Sequence, residues 1–333
     1  MTHISHWKRL ATRLAPAAIA LSVAIGTTTA QAQDPLTVRL DFSPWGVHAG
    51  MHLAQDRGWF EEAGLNVEIQ DGRGSGNTLQ LVNAGQVDVG QIQLGLLGAA
   101  REEGATIKSF AGFQRKTDLC ILVDKDSDAT EIADLKGKKL VVFAASPWAA
   151  YIDDFLAAGG LTRDDTEILF VDPAALWGTY TAGRADGLMS TIGSAIPVAE
   201  NSRPSKCLML DLAGLHFPSY GLIATEETIQ NRGDELKTLV EVEQRAWEEI
   251  KKDPDLGVKA IMAQRPDAKL DPKVLREQIQ ITVDYFDTPA TEGKPIGWQA
   301  KEDWEAALQG MEKTGLVKPG WNAEDYYTND LVQ

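Results

Sequence analysis

The tripeptide Ser-Pro-Trp occurs twice in this 333-residue chain, at 43–45 and at 146–148. Each copy stands where a predicted strand gives way to a predicted helix. Three residues after each Trp comes another ring, His48 or Tyr151, and residues i and i+3 share a face of a helix. Each copy would therefore present two rings and a helix N-terminus at the carboxyl end of a strand, where open α/β sheets bind ligands. Two such corners predict one ligand held between two lobes.

Further matches follow the two copies in the same order. Residues 60–65 (FEEAGL) correspond to 155–161 (FLAAGGL), and residues 84–88 (AGQVD) correspond to 182–186 (AGRAD), with a strand and a helix between them each time. Any two βαβ units share some likeness, but the ordered set of matches is a stronger signal. It predicts two structurally alike halves, with a period far too long for a solenoid.

The N-terminus has the pattern of a secretory signal peptide. Lys8, Arg9 and Arg13 precede a short apolar run at 14–25, and Ala30-Gln31-Ala32 is a small-x-small cleavage site, a combination too short to span a membrane. We assign 1–32 to this segment and expect a soluble, monomeric protein exported to a bacterial periplasm. Removing three basic and no acidic groups changes the formal charge from −16 to −19, which argues against nucleic acid or anionic lipid as a partner.

The two cysteines, Cys120 and Cys207, both lie on apolar strand-like runs. They are too few for a disulfide framework. One bridge would suit an oxidising compartment, but we favour buried free thiols, because Cys is among the residue types most often buried.

Alternating strand and helix patterns place the chain in the α/β class. Strands are predicted at 36–42, 67–70, 87–92, 107–113, 119–123, 139–143, 167–171, 187–191, 207–212 and 220–224. After them only helices are predicted, at 226–231, 234–253, 254–264, 272–286 and 301–314. We expect a discontinuous lobe one (33–118 and 225–333) around an inserted lobe two (119–224). Two chain crossings would then form a hinge.

The opening of the mature chain resembles a family. The segments 40–50 (LDFSPWGVHAG), 58–69 (GWFEEAGLNVEI), 84–90 and 132–139 resemble exported solute-binding proteins of ABC importers. They are most similar to the group that binds the pyrimidine precursor of thiamine and to its sulfonate, taurine and nitrate relatives. The resemblance implies a two-lobed type II periplasmic binding protein fold with an interlobe cleft, and delivery of the ligand to a permease in the inner membrane.

Two departures from the family pattern bear on function. Many relatives have a small, Gly-rich turn where this chain has Ser146-Pro147-Trp148. A Trp there would narrow the cleft and argues against sulfonate or nitrate. The eukaryotic pyrimidine-synthesising branch carries a clustered-cysteine iron motif, and this sequence has nothing like it, so we do not expect an enzyme.

The candidate ligand-binding residues cluster at the two corners. Ser43 and Ser146 each precede a Pro and serve either as helix N-caps or as ligand contacts. Trp45 and Trp148 either stack on a ligand ring or pack in the core. Tyr151 would be the partner ring of Trp148 and has a hydroxyl to offer.

Two polar side chains accompany the first corner. His48 could donate to a ring nitrogen or carboxylate. It also pairs with His52 at i, i+4, but no third ligand of suitable spacing appears, and we predict no metal site. Asp41 would accept from a ligand amino group or pair with a nearby Arg or Lys.

The segment 72–77 (GRGSGN) follows a strand and opens a helix. It fails as a dinucleotide fingerprint because Asn77 stands in place of the third Gly, and we predict no cofactor. As a tight turn it would expose the N–H groups of Gly74 and Ser75 to the cleft. Arg73 is either an anion partner or an ordinary surface residue. Gln93, Ser190 and Thr191 follow the two Ala-Gly-x-x-Asp strands as hydrogen-bond partners. Further candidates near the end of lobe two are Ser194, His216, Ser219 and Tyr220.

Ring-rich corners favour a small planar aromatic or heterocyclic ligand, such as a thiamine-related pyrimidine. One alternative is the same fold holding a sulfonate or other organic anion at Arg73 and the helix ends. The other is an exported enzyme on this scaffold, for which the sequence offers no nucleophile.

Overall fold

Two five-stranded sheets organise residues 34–333, which are the residues that the computed structural model describes. The predicted signal peptide, 1–32, lies outside them. The first sheet contains β1 Leu36–Arg39, β2 Val67–Gln70, β3 Val89–Gln93, β4 Ile107–Gly112 and β10 Tyr220–Thr225. The second contains β5 Leu119–Asp124, β6 Lys139–Val142, β7 Glu167–Phe170, β8 Gly187–Thr191 and β9 Ser205–Met209.

The two sheets have the same topology. The strand orders are β2-β1-β3-β10-β4 and β7-β6-β8-β5-β9. In each, the first three strands are parallel and the fourth is antiparallel to its neighbours. The strand order confirms the predicted pair of alike halves, and the α/β class is confirmed with it.

One predicted boundary shifts. Strand β10 pairs with β3 and β4 in the first sheet, whereas the boundary at 224 placed residues 220–224 in lobe two. Each sheet receives its antiparallel fourth strand from chain that has just crossed over from the other lobe. Strand β5 enters the second sheet in this way, and strand β10 enters the first. We therefore define lobe one as 34–112 with 220–333 and lobe two as 119–209. The first and second crossings are 113–118 and 210–219.

Helices cover the faces of both sheets. Those of the first part of the chain are α1 Ala49–Asp56, α2 Trp59–Glu62, α3 Ser75–Asn83, α4 Leu97–Glu102, α5 Ile152–Ala158, α6 Leu176–Thr181 and α7 Ile192–Ala199. The C-terminal group is α8 Glu226–Asn231, α9 Gly233–Lys252, α10 Pro254–Gln264, α11 Pro272–Asp284 and α12 Lys301–Thr314. In residues 34–333 no helix has both the length and the apolar character that a membrane span requires.

The repeated Ala-Gly-x-x-Asp motif has a structural role. Asp88 accepts hydrogen bonds from the backbone N–H of Thr37 at 2.8 Å and from its hydroxyl at 2.7 Å. In the other half, Asp186 accepts from the backbone N–H of Lys139 at 2.8 Å. Asp88 thus ties the turn before β3 to β1, and Asp186 ties the turn before β8 to β6. The motif recurs because the same strand junction recurs.

The cysteines form a bridge, so the preference for free thiols was wrong. Cys120 and Cys207 are disulfide-bonded, with their Cα atoms 5.4 Å apart. They lie on β5 and β9, which pair in an antiparallel register that sets Leu122 opposite Cys207. A Cα separation of this size is in the normal range for disulfides. Strand pairing, which the sequence spacing does not reveal, brings the sulfurs together.

Candidate functional site

A cavity of about 130 Å³ lies between the lobes. It is of the order of the ~150 Å³ cavity that holds a benzene molecule in an engineered protein core. Lobe one lines it with Asp41, Phe42, Ser43, Pro44, Trp45, Gly74, Ser75 and Tyr220. Lobe two lines it with Leu119, Phe143, Ser146, Pro147, Leu176, Ser190, Thr191 and Ser194. Its walls carry no Lys, Arg or His side chain.

Aromatic rings from both lobes form much of the wall. Trp45 and Tyr220 meet edge to face with their centroids 5.4 Å apart. Phe42 of lobe one lies 5.4 Å from Phe143 of lobe two, with the rings tilted by 32°. Because one ring belongs to each lobe, Phe42 and Phe143 pack against each other only when the lobes are closed.

Asp41 organises the rings of lobe one. Its Oδ1 accepts from His48 Nε2 at 2.8 Å and from Trp45 Nε1 at 3.3 Å. Its Oδ2 accepts from the Tyr220 hydroxyl at 3.0 Å. Burial and the charge of Asp41 raise the pKa of Tyr220, which keeps its hydroxyl a donor. The partners of this buried carboxylate are rings, not the Arg or Lys that was one of the two expectations.

The two Ser-Pro-Trp copies differ in local conformation, and their indoles diverge. Trp45 is extended, with φ −155° and ψ 178°, and precedes a short 3-10 helix, Gly46–His48. Trp148 lies inside the 3-10 helix Pro147–Ala150. Its indole is fully buried, donates to the carbonyl of Ser190 at 2.7 Å and packs edge-on against Phe155. Trp148 does not line the cavity, and the expectation of paired indoles in the cleft was wrong.

The ring partners predicted for each Trp also lie outside the cavity. Tyr151 is buried and stacks on Phe217 with centroids 5.0 Å apart. The Nδ1 atom of His48 accepts from the backbone N–H of Trp45, which leaves the Nε2–H of His48 to donate to Asp41. His52 contacts Gln264 at 2.8 Å, and burial lowers its pKa to about 4. Over residues 34–333 no cluster of three or more His, Cys, Asp or Glu suited to a metal is present.

The two serines behave differently. The Ser146 hydroxyl accepts a hydrogen bond from the backbone N–H of Trp148 at 3.3 Å, so Ser146 is the predicted N-cap. It also lines the cavity. Ser43 caps no helix, because the first helical turn begins three residues later, at Gly46. It is exposed at the cavity rim. A cap requires the right helical phase as well as the right residue type.

Two other candidates do not reach the cavity. Arg73 is exposed and absent from the cavity wall. Gln93 is buried behind the wall, where its side chain donates to Asp118 and its backbone N–H donates to Ser75 Oγ at 3.2 Å. Arg73, the arginine proposed as an anion partner, is therefore not a ligand contact in this cavity.

Hydroxyl groups at helix starts line the rest of the cavity. Ser75 begins α3, and Thr191 caps α7 by accepting from the Ser194 N–H at 3.4 Å. Ser190 and Ser194 join them through a hydroxyl contact of 3.2 Å. Helix N-termini supply free N–H groups, so this side of the cavity suits acceptor atoms on a ligand.

The lobes touch around the cavity. The N–H of Gly76 donates to the carbonyl of Ala145 across the cleft at 3.2 Å. Gln278 of α11 accepts from the Gly46 N–H at 3.0 Å and donates to the Ser194 carbonyl of lobe two at 3.1 Å. Because these hydrogen bonds join the two lobes across the cleft, the structure is the closed form of the protein.

Sequence reasoning missed the phenylalanines and leucines of the wall, which are Phe42, Phe143, Leu119 and Leu176. A signal for two of them was present. Phe42 and Phe143 each end a strand that the sequence predicts, shortly before a Ser-Pro-Trp copy, and in the structure they follow β1 and β6. Leu119 and Leu176 carry no comparable local signal.

The two equivalent sheets, the double crossing and the interlobe cavity define the class. Solved structures of the periplasmic binding protein fold share this architecture. The alkanesulfonate-binding protein SsuA from Xanthomonas axonopodis pv. citri, bound to MOPS, superposes with a TM-score of 0.66 at 17% identity, covering 89% of this chain and 100% of that one.

The chain belongs to the NMT1/THI5-like family, whose pattern matches residues 45–256; the resemblance seen in the sequence is confirmed. The formylaminopyrimidine-binding protein of Halalkalibacterium halodurans is 23% identical over 306 residues, 90% of this chain and 91% of the relative. The 4-amino-5-hydroxymethyl-2-methylpyrimidine phosphate synthase THI13 of Saccharomyces cerevisiae is 23% identical over 311 residues, 90% and 88% of the two chains. The family thus contains binding proteins and synthases.

Proposed function

We propose that this protein is the extracytoplasmic binding component of an ABC importer, and that it captures a small planar molecule with one ring. The observation that carries the proposal is the interlobe cavity of about 130 Å³ walled by Phe42, Trp45, Phe143 and Tyr220. Flat apolar walls with a few polar groups at the edge suit a ring whose rotation must be set. The formylaminopyrimidine-binding relative supports a pyrimidine.

The polar groups match such a ring. The hydroxyls of Ser75 and Ser194 can donate to ring nitrogens or an exocyclic oxygen, whereas the Thr191 hydroxyl donates to Ser194 Oγ at 3.0 Å. The cavity offers no cationic side chain, and the carboxylate of Asp41 at its wall repels an anion. A neutral heterocycle therefore fits better than a sulfonate or nitrate.

An organic anion is the second candidate, favoured by one observation. Helix α3, helix α7 and the Pro147–Ala150 turn all start at the cavity, and helix N-termini attract anions. The sulfonate-binding structural neighbour supports it as well. The absence of a cation from the wall makes it the weaker proposal.

A thermal-shift panel distinguishes the two. Candidate ligands are 4-amino-5-hydroxymethyl-2-methylpyrimidine, its formylamino analogue, alkanesulfonates and nitrate. A ligand at 100 times its Kd stabilises the folded state by about 2.7 kcal/mol. We expect the pyrimidines to raise Tm and the anions to leave it unchanged. A panel in which only anions raise Tm would overturn the ligand class.

Two variants locate the binding. Phe143→Ala should remove the ligand-induced shift, because it deletes the ring that lobe two contributes. Arg73→Ala is the matched control and should keep the shift, since Arg73 lies outside the cavity. Loss of binding in Arg73→Ala with Phe143→Ala unaffected would support the anion instead.

We further propose that the protein binds without converting its ligand and that 1–32 is cleaved on export to the periplasm. Mass spectrometry of a bound pyrimidine after prolonged incubation should return it unchanged, whereas a new product would indicate an enzyme. N-terminal sequencing of the periplasmic protein should begin at Gln33.

A further inference from the structure

Asp118 connects the two lobes at the hinge. It is the last residue of the first crossing, and its carbonyl accepts from the N–H of Ile192 in lobe two at 2.8 Å. Its Oδ1 accepts from Gln93 Nε2, at the end of β3 in lobe one, and from Ser219 Oγ, at the end of the second crossing, each at 2.5 Å. A residue fixed by its backbone to lobe two is thus held by its side chain to lobe one.

The carboxyl group lacks part of its hydrogen bonding. Asp118 is 1% exposed, and neither its Oδ2 nor Gln93 Oε1 has a hydrogen-bond partner. Both atoms are acceptors, so a proton on Oδ2 would supply the missing donor. Ionised, the group is a buried charge with no cation against it, and such a charge is costly away from water.

The surroundings favour the protonated form. Burial raises the pKa of Asp118 to about 7, although the bonds from Ser219 and Gln93 lower it. The titratable groups that face it are Asp41, whose charge also raises this pKa, and Tyr220 and Tyr285, whose own pKa values its charge raises. Asp41 and Tyr220 belong to the cavity wall, and Tyr285 belongs to the C-terminal part of lobe one.

Short paths lead from Asp118 to the cavity. Ser219 precedes Tyr220, whose hydroxyl donates to Asp41. Gln93 donates through its backbone to Ser75. Tyr220, Asp41 and Ser75 all line the cavity, so separating Asp118 from Gln93 and Ser219 disturbs the wall directly.

We propose that Asp118 is a proton-controlled latch of the hinge: protonated, it stays buried between the lobes and favours closure, and ionised, it favours opening. The latch regulates the cleft of the proposed function and depends on that function only in taking lobe closure as the binding motion. The cleft should therefore close more readily on the acidic side of neutrality and open more readily on the alkaline side.

Small-angle X-ray scattering of the ligand-free protein tests the latch. As pH increases from about 4, the radius of gyration should rise with a midpoint below 7 and level off above about 7, because ionisation disfavours the closed form only up to the pKa of the buried carboxyl. In Asp118→Asn, which cannot ionise, the rise should be absent and the compact value retained. Glu243→Gln is the matched control, because it removes a buried carboxyl of α9, away from the hinge, whose pKa burial also raises; it should keep the rise.

Each other result contradicts the latch. A wild-type radius that does not change with pH, a rise that persists in Asp118→Asn, or a rise lost in Glu243→Gln would overturn it. If Asp118→Asn does not fold, Ser219→Ala decides: it removes a bond that lowers the pKa, so the midpoint should move up, and an unmoved midpoint refutes the latch. No ligand is used, so this failure and a failed ligand panel are separate results.

Discussion

At the scale of single residues, the two Ser-Pro-Trp copies show how a shift of two residues in helical phase decides where a side chain points. Trp45 stands just before its helical turn and faces the cavity, where Asp41 holds its Nε1. Trp148 stands within its turn and points into the core, where the Ser190 carbonyl holds its Nε1. The same tripeptide therefore supplies a binding-site ring in one lobe and a core ring in the other.

The two tryptophans should differ on substitution. Trp148→Ala should lower the free energy of unfolding by about 3–5 kcal/mol, as expected for a deleted core ring. Trp45→Ala should cost less stability and should weaken the ligand-induced shift in Tm more. Urea unfolding and the thermal-shift panel measure the two effects, and the opposite ranking in either would contradict the placement.

Buried carboxyls should make stability fall as pH rises from the acid range to about 8. Burial raises the pKa of Asp118 to about 7 and that of Glu243 to about 8. A carboxyl with a raised folded pKa gives stability that is full below its unfolded pKa and lost as pH rises through its folded pKa. His52, lowered from 6.5 to about 4, acts in the opposite direction, but only below about 6.5.

Between pH 6.5 and 8 the carboxyls therefore act without His52, and the free energy of unfolding should decrease by at most about 1.4 kcal/mol per pH unit for each group. Glu243→Gln should flatten the part of this decline nearest pH 8. Urea unfolding at a series of pH values provides the measurement. An unchanged slope in the variant would show that Glu243 is not the titrating group.

At the scale of elements, the two sheets repeat one design, and what joins them differs. Asp88 bonds to β1 in the first sheet, and Asp186 makes the equivalent bond to β6 in the second. The disulfide has no counterpart in lobe one, since Cys120 and Cys207 are the only cysteines in the chain. It fastens β5 and β9, the strands of lobe two that adjoin the two crossings.

The disulfide should stabilise lobe two substantially. It closes a loop with a sequence separation of 87 residues, and removing a native disulfide typically costs about 2–5 kcal/mol. The double variant Cys120→Ser, Cys207→Ser should lose that amount in urea unfolding. Reductant should have the same effect on the wild type and none on the variant, and equal stability with and without the bridge would contradict this expectation.

Gly74 should control the approach of the lobes. It has φ +122°, and a Cβ there would stand 2.5 Å from the carbonyl oxygen of Ala145 and 2.8 Å from the ring of Phe143, both in lobe two. Gly74→Ala should therefore hold the cleft open and reduce the ligand-induced shift in Tm.

Gly85→Ala is its control. Gly85 also has a positive φ, +65°, but no atom lies within 4 Å of the added Cβ. Gly85 lies in the left-handed region, which a non-Gly residue adopts at modest cost. The control lacks the collision between lobes, so it should bind ligand normally. Equal loss of binding in both variants would show that strain, and not the collision, is responsible.

At the scale of the whole molecule, helix α11 of lobe one packs against α7 of lobe two, and one of its side chains bonds both lobes. Gln278 accepts from Gly46 and donates to the Ser194 carbonyl. A side chain that bonds both lobes contributes mainly to the closed form. Its loss should therefore appear in ligand affinity more than in the stability of either lobe.

Gln278→Ala should raise the Kd for ligand severalfold, up to about tenfold, because only the bond to Ser194 crosses the cleft and one hydrogen bond is worth about 0.5–1.5 kcal/mol. Isothermal titration calorimetry measures the change. Gln264→Ala is the comparison, since Gln264 bonds His52 within lobe one. A Kd that is unaffected in Gln278→Ala, or raised equally in both, would remove the interlobe role.

The sequence by itself determined the elements, their order and the likeness of the halves. Helices α8, α10 and α12 begin and end at the predicted residues, because caps, prolines and apolar periodicity act over a few neighbours. The Ala-Gly-x-x-Asp motif is local as well. About half of the proposed site was also accessible, since Asp41, Trp45, Gly74, Ser75, Ser146, Ser190 and Thr191 follow strand ends.

Only the tertiary structure decided where side chains point and which distant residues meet. Trp148, Tyr151 and Gln93 turned inward because partners far along the chain, or a different helical phase, stabilised them there, whereas Asp41 and Trp45 hold His48 locally. The disulfide and the exchange of β10 and β5 depend on strand pairing across more than sixty residues. Local periodicity carries no information on such pairing, because its energy comes from contacts that exist only once the chain has folded.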